Sequence, residues 1–106
     1  MVINLEIDIK NENEFLLYNL IDLRSHEKYL NDHIKGSINI PYNYLLIEPW
    51  KYLNQRDKYL LICSHGLMSR EVSRILNNNG YYTYSLRSGM IGYRNFDKNF
   101  KKNKKI

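Results

Sequence analysis

The pattern of apolar and polar positions divides the chain into short units. Val2 to Ile9 alternates, with Val2, Ile3, Leu5, Ile7 and Ile9 apolar, and predicts a half-buried strand. Lys10 to Glu14 is polar and turn-like. Phe15 to Leu23 is almost wholly apolar and predicts a strand buried on both faces, starting near Tyr18. Ser25 is placed to cap a short helix over His26 to Leu30. Ser37 to Ile40 predicts a brief strand, stopped by Pro41 because proline has no N–H for a ladder. Tyr42 to Tyr52 contains a helical cluster (Tyr44, Leu45, Leu46, Ile47) interrupted at Pro49. Tyr59 to Cys63 is the clearest buried strand. Met68 to Asn78 is the clearest helix, since Met68, Val72, Ile75 and Leu76 fall at i, i+4, i+7 and i+8. Gly80 is a helix stop, Tyr81 to Leu86 a further strand, and Gly89 to Phe96 a final helix. Strands alternating with helices imply βαβ units and a mostly parallel α/β sheet.

The 106 residues make one domain's worth of chain. We expect one folded unit over residues 1–97 and a basic tail over 98–106. The net charge of +5 belongs to that tail: Lys98, Lys101, Lys102, Lys104 and Lys105 follow Asp97, and the first 97 residues hold 11 basic and 11 acidic side chains. The basicity therefore describes a terminus and not a basic fold. A short lysine run alone supplies only salt-sensitive, non-specific affinity. Six of the ten tyrosines (Tyr42, Tyr44, Tyr59, Tyr81, Tyr82, Tyr84) lie in apolar stretches, which points to packing before base stacking. No nucleic-acid partner is expected. No apolar run approaches the roughly 20 residues a membrane span needs, so no membrane association is expected either. No signal peptide is read at the N-terminus. The single cysteine can form no internal disulfide, and a reducing, cytoplasmic location is the expectation. The chain has no alanine, while Asn, Ile, Lys and Tyr supply 46 residues, a skew that weakens arguments from helix propensity.

Candidate chemistry gathers at one strand end. In an open parallel sheet, sites form at the carboxyl ends of strands. Tyr59 to Cys63 delivers Cys63 to such an end, and Ser64-His65-Gly66-Leu67-Met68-Ser69-Arg70 leads into the helix. The helix dipole and the unpaired amides of its first turn favour an anion there, and a thiolate is such an anion. Gly66 lets the backbone curl so that successive amides turn inward. His65 and Arg70 add positive charge. Against this, a free cysteine at the end of a buried strand is most often a small inert hydrophobe. The strand–cysteine–loop–helix context favours a nucleophile with an anion cradle. Three scattered histidines and one cysteine show no metal-ligand spacing, and no cofactor is expected.

The order of motifs resembles the rhodanese-like domains. Ile21-Asp22-Leu23-Arg24-Ser25, Glu27-Lys28-Tyr29 and His33 to Pro41 resemble their first signature. Cys63 to Met68, followed by Ser69, resembles their six-residue active-site loop. Leu86-Arg87-Ser88-Gly89-Met90-Ile91-Gly92-Tyr93 resembles their closing segment. The match covers about residues 15 to 96. It implies a five-stranded parallel sheet with helices on both faces. It also implies a sulfurtransferase in which Cys63 accepts a sulfane sulfur from thiosulfate or a persulfide donor. Ser64, His65, Gly66, Leu67, Met68, Ser69 and Arg70 would bind the substrate, and the acceptor would be a small thiophile or a protein. The alternative function within the same family is a sulfur-relay or regulatory protein-interaction module. Asp32, Met68 and Tyr93 stand where relatives commonly have glycine, arginine and tryptophan, and Met68, preceded by Leu67, leaves the loop less positive. Phosphatases and arsenate reductases on this fold resemble a Cys-x-x-x-x-x-Arg loop, with arginine six positions after the cysteine. Here Ser69 is sixth and Arg70 seventh.

Asp22 and Arg24 are read as structural, the aspartate fixing a neighbouring loop, with the two side chains directed to opposite faces. His26 and His33 are read as hydrogen-bonding residues near turns.

Overall fold

The computed structural model describes residues 5–103, with side chains through Asp97. Its elements are β1 (Glu6–Ile7), a 3-10 turn (Glu12–Leu17), β2 (Asn19–Asp22), α1 (His26–Asn31), β3 (Ile38–Asn39) and α2 (Tyr42–Ile47). A second 3-10 turn (Pro49–Lys51), β4 (Lys58–Ile62), α3 (Leu67–Asn78), β5 (Tyr82–Leu86) and α4 (Gly89–Asn103) follow. The five strands form one sheet in the order β1-β5-β4-β2-β3, and every pairing is parallel.

The central strand shows why the sheet carries layers on both faces. β4 lies between β2 and β5, and Leu60, Leu61 and Ile62 have no measurable exposure. Successive side chains leave a strand on opposite faces. Tyr59 and Leu61 enter one core with Ile21, Leu45, Val72 and Leu76, under α2 and α3. Leu60 and Ile62 enter the other with Phe15, Leu20, Ile34, Leu86 and Met90, under the first 3-10 turn and α4. Full burial of each such side chain contributes about 1.5–3 kcal/mol.

Two stretches are organised differently from their hydrophobic pattern. In the apolar run Phe15 to Leu23 pairing begins at Asn19, one residue past the expected start near Tyr18, and the residues through Leu17 are 3-10 helix. Asn11 and Glu14 form a capping box, the Asn11 side chain accepting from Asn13 N–H while the Glu14 carboxylate accepts from Asn11 N–H at 3.1 Å. Lys10 N–H also donates to Glu14, and these backbone bonds hold that carboxyl below its ordinary pKa. Within the turn only Phe15 is buried, and Leu16 and Leu17 face solvent. Among the described residues the alternating stretch at the N-terminus forms strand at Glu6–Ile7, and Val2 to Asn4 lie outside them.

The other elements fall within a few residues of expectation. Ser25 caps α1, its hydroxyl accepting from Lys28 N–H. Gly80, at φ +95°, follows the end of α3. α4 runs on past Phe96 to Asn103, so its backbone carries the first lysines of the basic run. The side chains of Lys98, Lys101 and Lys102, and Lys104 and Lys105 altogether, lie outside the described residues. Among the described residues no helix is long and apolar enough to cross a membrane.

Candidate active site

β4 ends at Ile62, which places Cys63 at the carboxyl edge of the sheet beside the start of α3. The sulfur takes the place of a helix cap. Gly66 is the N-cap residue and offers no side chain for the role. Instead Gly66 N–H and Ser69 N–H donate to Cys63 Sγ at 3.1 and 3.3 Å. Two of the four amides that a helix start leaves without intrahelical acceptors thus converge on one sulfur. Ser69 Oγ lies 3.3 Å from the same sulfur. Cys63 itself is only 3% exposed.

The loop is held from behind by α4. Met90 N–H donates to Cys63 O at 2.8 Å, and Ile91 N–H donates to Ser64 O at 3.1 Å. That approach requires two left-handed residues in succession, Ser88 at φ 63° and Gly89 at φ 53°. A Cβ on Gly89 would fall 2.3 Å from Cys63 O, so no side chain fits there. Gly66, at φ +92°, is constrained in the same way by Ser88 N at 2.9 Å. The two glycines therefore let the α4 turn and the cysteine loop meet backbone to backbone.

Two cavities flank the loop, of about 270 and 240 Å³. Both are lined by Arg24, Lys28 and Ser64. The first adds His65, Asp32 and Arg94, and the second adds Met68, Pro41 and Tyr42. The structure thus brings Cys63, Gly66 and Ser69 together at the sulfur, with Ser64, His65 and Met68 along the cavities. Leu67 and Arg70 are exposed on the first turn of α3 and line neither cavity.

Sequence reasoning missed the α1 side of the mouth. Lys28, on α1, lines both cavities and makes no ion pair among the described residues. Arg94 is engaged by Asp32, through Nε–Oδ2 and Nη2–Oδ1 contacts of 2.9 and 3.0 Å. This pair holds the Asp32 carboxyl below its usual pKa. Nothing in the local pattern joins residues 32 and 94; only the return of α4 does so.

Asp22 and Arg24 do not point to opposite faces. Residues i and i+2 of extended chain share a face, and the two side chains form a buried pair. Arg24 Nε donates to Asp22 Oδ1 at 3.0 Å, and Arg24 Nη2 donates to Oδ2 at 2.8 Å. Arg24 Nη2 also donates to Asp32 O at 2.7 Å, so the pair fastens the loop after α1, as the structural reading expected. His33 stacks on Tyr29, and His26 bonds Asn39. Among the described residues no group of three or more His, Cys, Asp or Glu side chains could hold a metal ion.

The model of the rhodanese-like domain matches residues 7–96. The chain belongs to the rhodanese-like domain family. Its order of motifs, its all-parallel five-stranded sheet and its cysteine loop all agree with that membership. A tRNA sulfurtransferase of Thermoplasma acidophilum is 38% identical over 68 residues, 61% of this chain. Another, from Desulfurococcus amylolyticus, is 33% identical over 75 residues, 71% of this chain. The matches cover only 13% and 14% of those relatives' own length. A solved rhodanese-related protein of Thermoplasma volcanium superposes with a TM-score of 0.71 at 30% identity. It covers 80% of this chain and 85% of its own.

Proposed function

We propose that this rhodanese-like domain is a sulfurtransferase whose nucleophile is Cys63. The observation that carries the reading is the convergence of Gly66 N–H and Ser69 N–H on Cys63 Sγ. Two fixed donors favour a negative sulfur over a neutral one, which is the requirement for a thiolate nucleophile and for a persulfide anion. In the first half-reaction the thiolate attacks the outer sulfur of thiosulfate. The S–S bond of the donor breaks, sulfite leaves with the electron pair, and a persulfide forms on Cys63. In the second, cyanide or a thiolate attacks the outer persulfide sulfur, which leaves as thiocyanate or as a new persulfide. Cys63 then returns as thiolate, and no external oxidant or reductant is needed. Lys28 at the cavities, with Arg70 nearby on α3, supplies the positive charge that draws an anionic donor.

The relay reading has its own support. Leu67 and Met68 are 63% and 39% exposed beside the loop, an apolar rim suited to a protein donor or acceptor. The two curated relatives named tRNA sulfurtransferase match over a small part of much longer chains. A persulfide on Cys63 would serve either reading.

Two-substrate kinetics test the proposal. Varying thiosulfate at several cyanide concentrations is expected to give parallel double-reciprocal lines, the mark of a covalent intermediate. Intersecting lines, or turnover retained by Cys63→Ser, would contradict it.

A further inference from the structure

Behind the sulfur, α3 and β5 meet through small polar side chains. Ser69 and Ser73 on α3 face Ser85 and Thr83 on β5, and all four are fully buried. Ser69 Oγ and Ser85 Oγ lie 2.6 Å apart, and each lies 3.3 Å from Gly66 O. With Ser69 Oγ 3.3 Å from Cys63 Sγ, the four groups form a closed set that leads from the sulfur to the strand.

We propose that Ser85 is a positioning residue, which turns the Ser69 hydroxyl toward Cys63 Sγ when the thiol ionises. The proton inventory carries the argument. In the thiol form S–H donates to Ser69 Oγ. The Ser69 O–H then has Ser85 Oγ or Gly66 O as acceptor, and the Ser85 O–H has Gly66 O. When the thiol proton leaves to solvent, Ser69 Oγ loses its donor and the sulfur becomes an acceptor only. The Ser69 O–H turns to the sulfur, and the Ser85 O–H turns to Ser69 Oγ. The Ser69 and Ser85 hydroxyls both stay satisfied in both forms. A hydroxyl that accepts a bond also donates more strongly, so Ser85 strengthens the bond to the thiolate. Without Ser85, the Ser69 hydroxyl facing a thiolate has no donor of its own.

The titratable and charged groups around the cysteine loop are His65 in the loop, Arg70 on α3, Lys28 and the Arg24–Asp22 pair across the cavities, and Arg94 with Asp32 from α4 and the loop after α1. None of them is altered by changes at Ser85, so a difference between variants reads the hydroxyls. Ser73 provides the control. It is equally buried on the same helix, but its Oγ has no hydrogen-bond partner among the described residues.

The inference rests on the reading of Cys63 as nucleophile for its functional meaning, and its test reads the thiol directly. Iodoacetamide alkylation followed against pH reports the one cysteine in the chain. Ser85→Ala is expected to move the midpoint up by about half to one pH unit, as loss of one supporting hydrogen bond predicts. Ser69→Ala should move it at least as far, and Ser73→Ala should leave it in place. The matched pair Ser85→Thr and Ser85→Val keeps and removes the hydroxyl at nearly equal volume, and serves also if Ser85→Ala folds poorly. The threonine variant should stay with the native protein and the valine variant should shift. Coincident midpoints for native protein and the alanine or valine variant would overturn the proposal. So would an equal shift in Ser73→Ala, which would indicate a general loosening of the core. Sulfur transfer that failed with every donor, alongside the expected midpoints, would count against the proposed function and not against Ser85.

Discussion

Two neighbouring strands end in buried polar groups, and the two groups are built differently. At the end of β2, Asp22 and Arg24 face each other in a multiply bonded ion pair that also grips Asp32 O. At the end of β4, Cys63 receives two backbone amides and touches hydroxyls whose protons have more than one acceptor. The first cluster is closed in charge, the carboxylate facing the guanidinium, and it fixes the loop after α1. The second can accept a change of charge on the sulfur by turning two hydroxyls. Equal burial therefore does not imply an equal role. Cavities of about 270 and 240 Å³ open beside both, and Arg24 and Ser64 line each of them.

The largest effect should come from breaking the closed cluster. Asp22→Ala leaves the Arg24 guanidinium buried without its partner, and is expected to cost about 3–5 kcal/mol in urea unfolding. A cost under about 1 kcal/mol would mean that Arg24 finds water or another acceptor, and that the pair is not closed. Next, Gly89→Ala puts a Cβ where Cys63 O and Ser64 C stand, at 2.3 and 2.8 Å. The loop must shift, and displacement of a reacting group by about 1 Å costs on the order of 100-fold in rate. Sulfur transfer measured per folded molecule should fall by that order; native turnover would show that α4 does not set the loop.

A smaller effect of opposite sign is expected at Ser73, whose buried hydroxyl lacks a partner among the described residues. Ser73→Ala should stabilise the domain by about 1 kcal/mol, because an unsatisfied buried hydroxyl carries an uncompensated desolvation cost. Thermal unfolding measures it, and a loss of stability would reveal a hidden partner. Smallest is the Asp32–Arg94 pair, with side chains 43% and 48% exposed. The Asp32 carboxyl is held low mainly by its hydrogen bonds from Arg94. Its stabilisation is thus present above the unfolded pKa of about 3.9 and lost as pH falls through the folded value. Asp32→Asn should cost under about 1 kcal/mol at pH 7, with the gap to native protein shrinking in acid. A gap independent of pH would assign the effect to packing.

Most of the path to the site was legible in residues 59 to 80. An uninterrupted apolar strand, a cysteine, a glycine loop and a helix at period 3.6 leave few ways to fold, and the strand and helix lie within one residue of their expected ends. Phe15 to Leu23 was not legible by hydrophobicity alone. Leu16 and Leu17 are apolar yet exposed, and the decisive signal was the Asn11–Glu14 spacing of a capping box. Within the alternation at Val2 to Ile9, the described residues pair with β5 at Glu6 and Ile7, a partner distant in sequence that the local pattern does not name. At the site, the loop residues were legible as neighbours of Cys63. Lys28, Ser85 and Gly89 are brought there by α1, β5 and the turn into α4, across separations that no local period encodes.

The central claim is that Cys63 accepts a sulfur atom, and intact mass tests it most directly. The purified protein is incubated with thiosulfate, with Cys63→Ser beside it. The native protein is expected to gain about one sulfur atom, removed by cyanide and absent from the variant, as a covalent step on an activated thiolate requires. An unchanged mass with thiosulfate and with a persulfide-generating donor, or an equal gain in the variant, would contradict it.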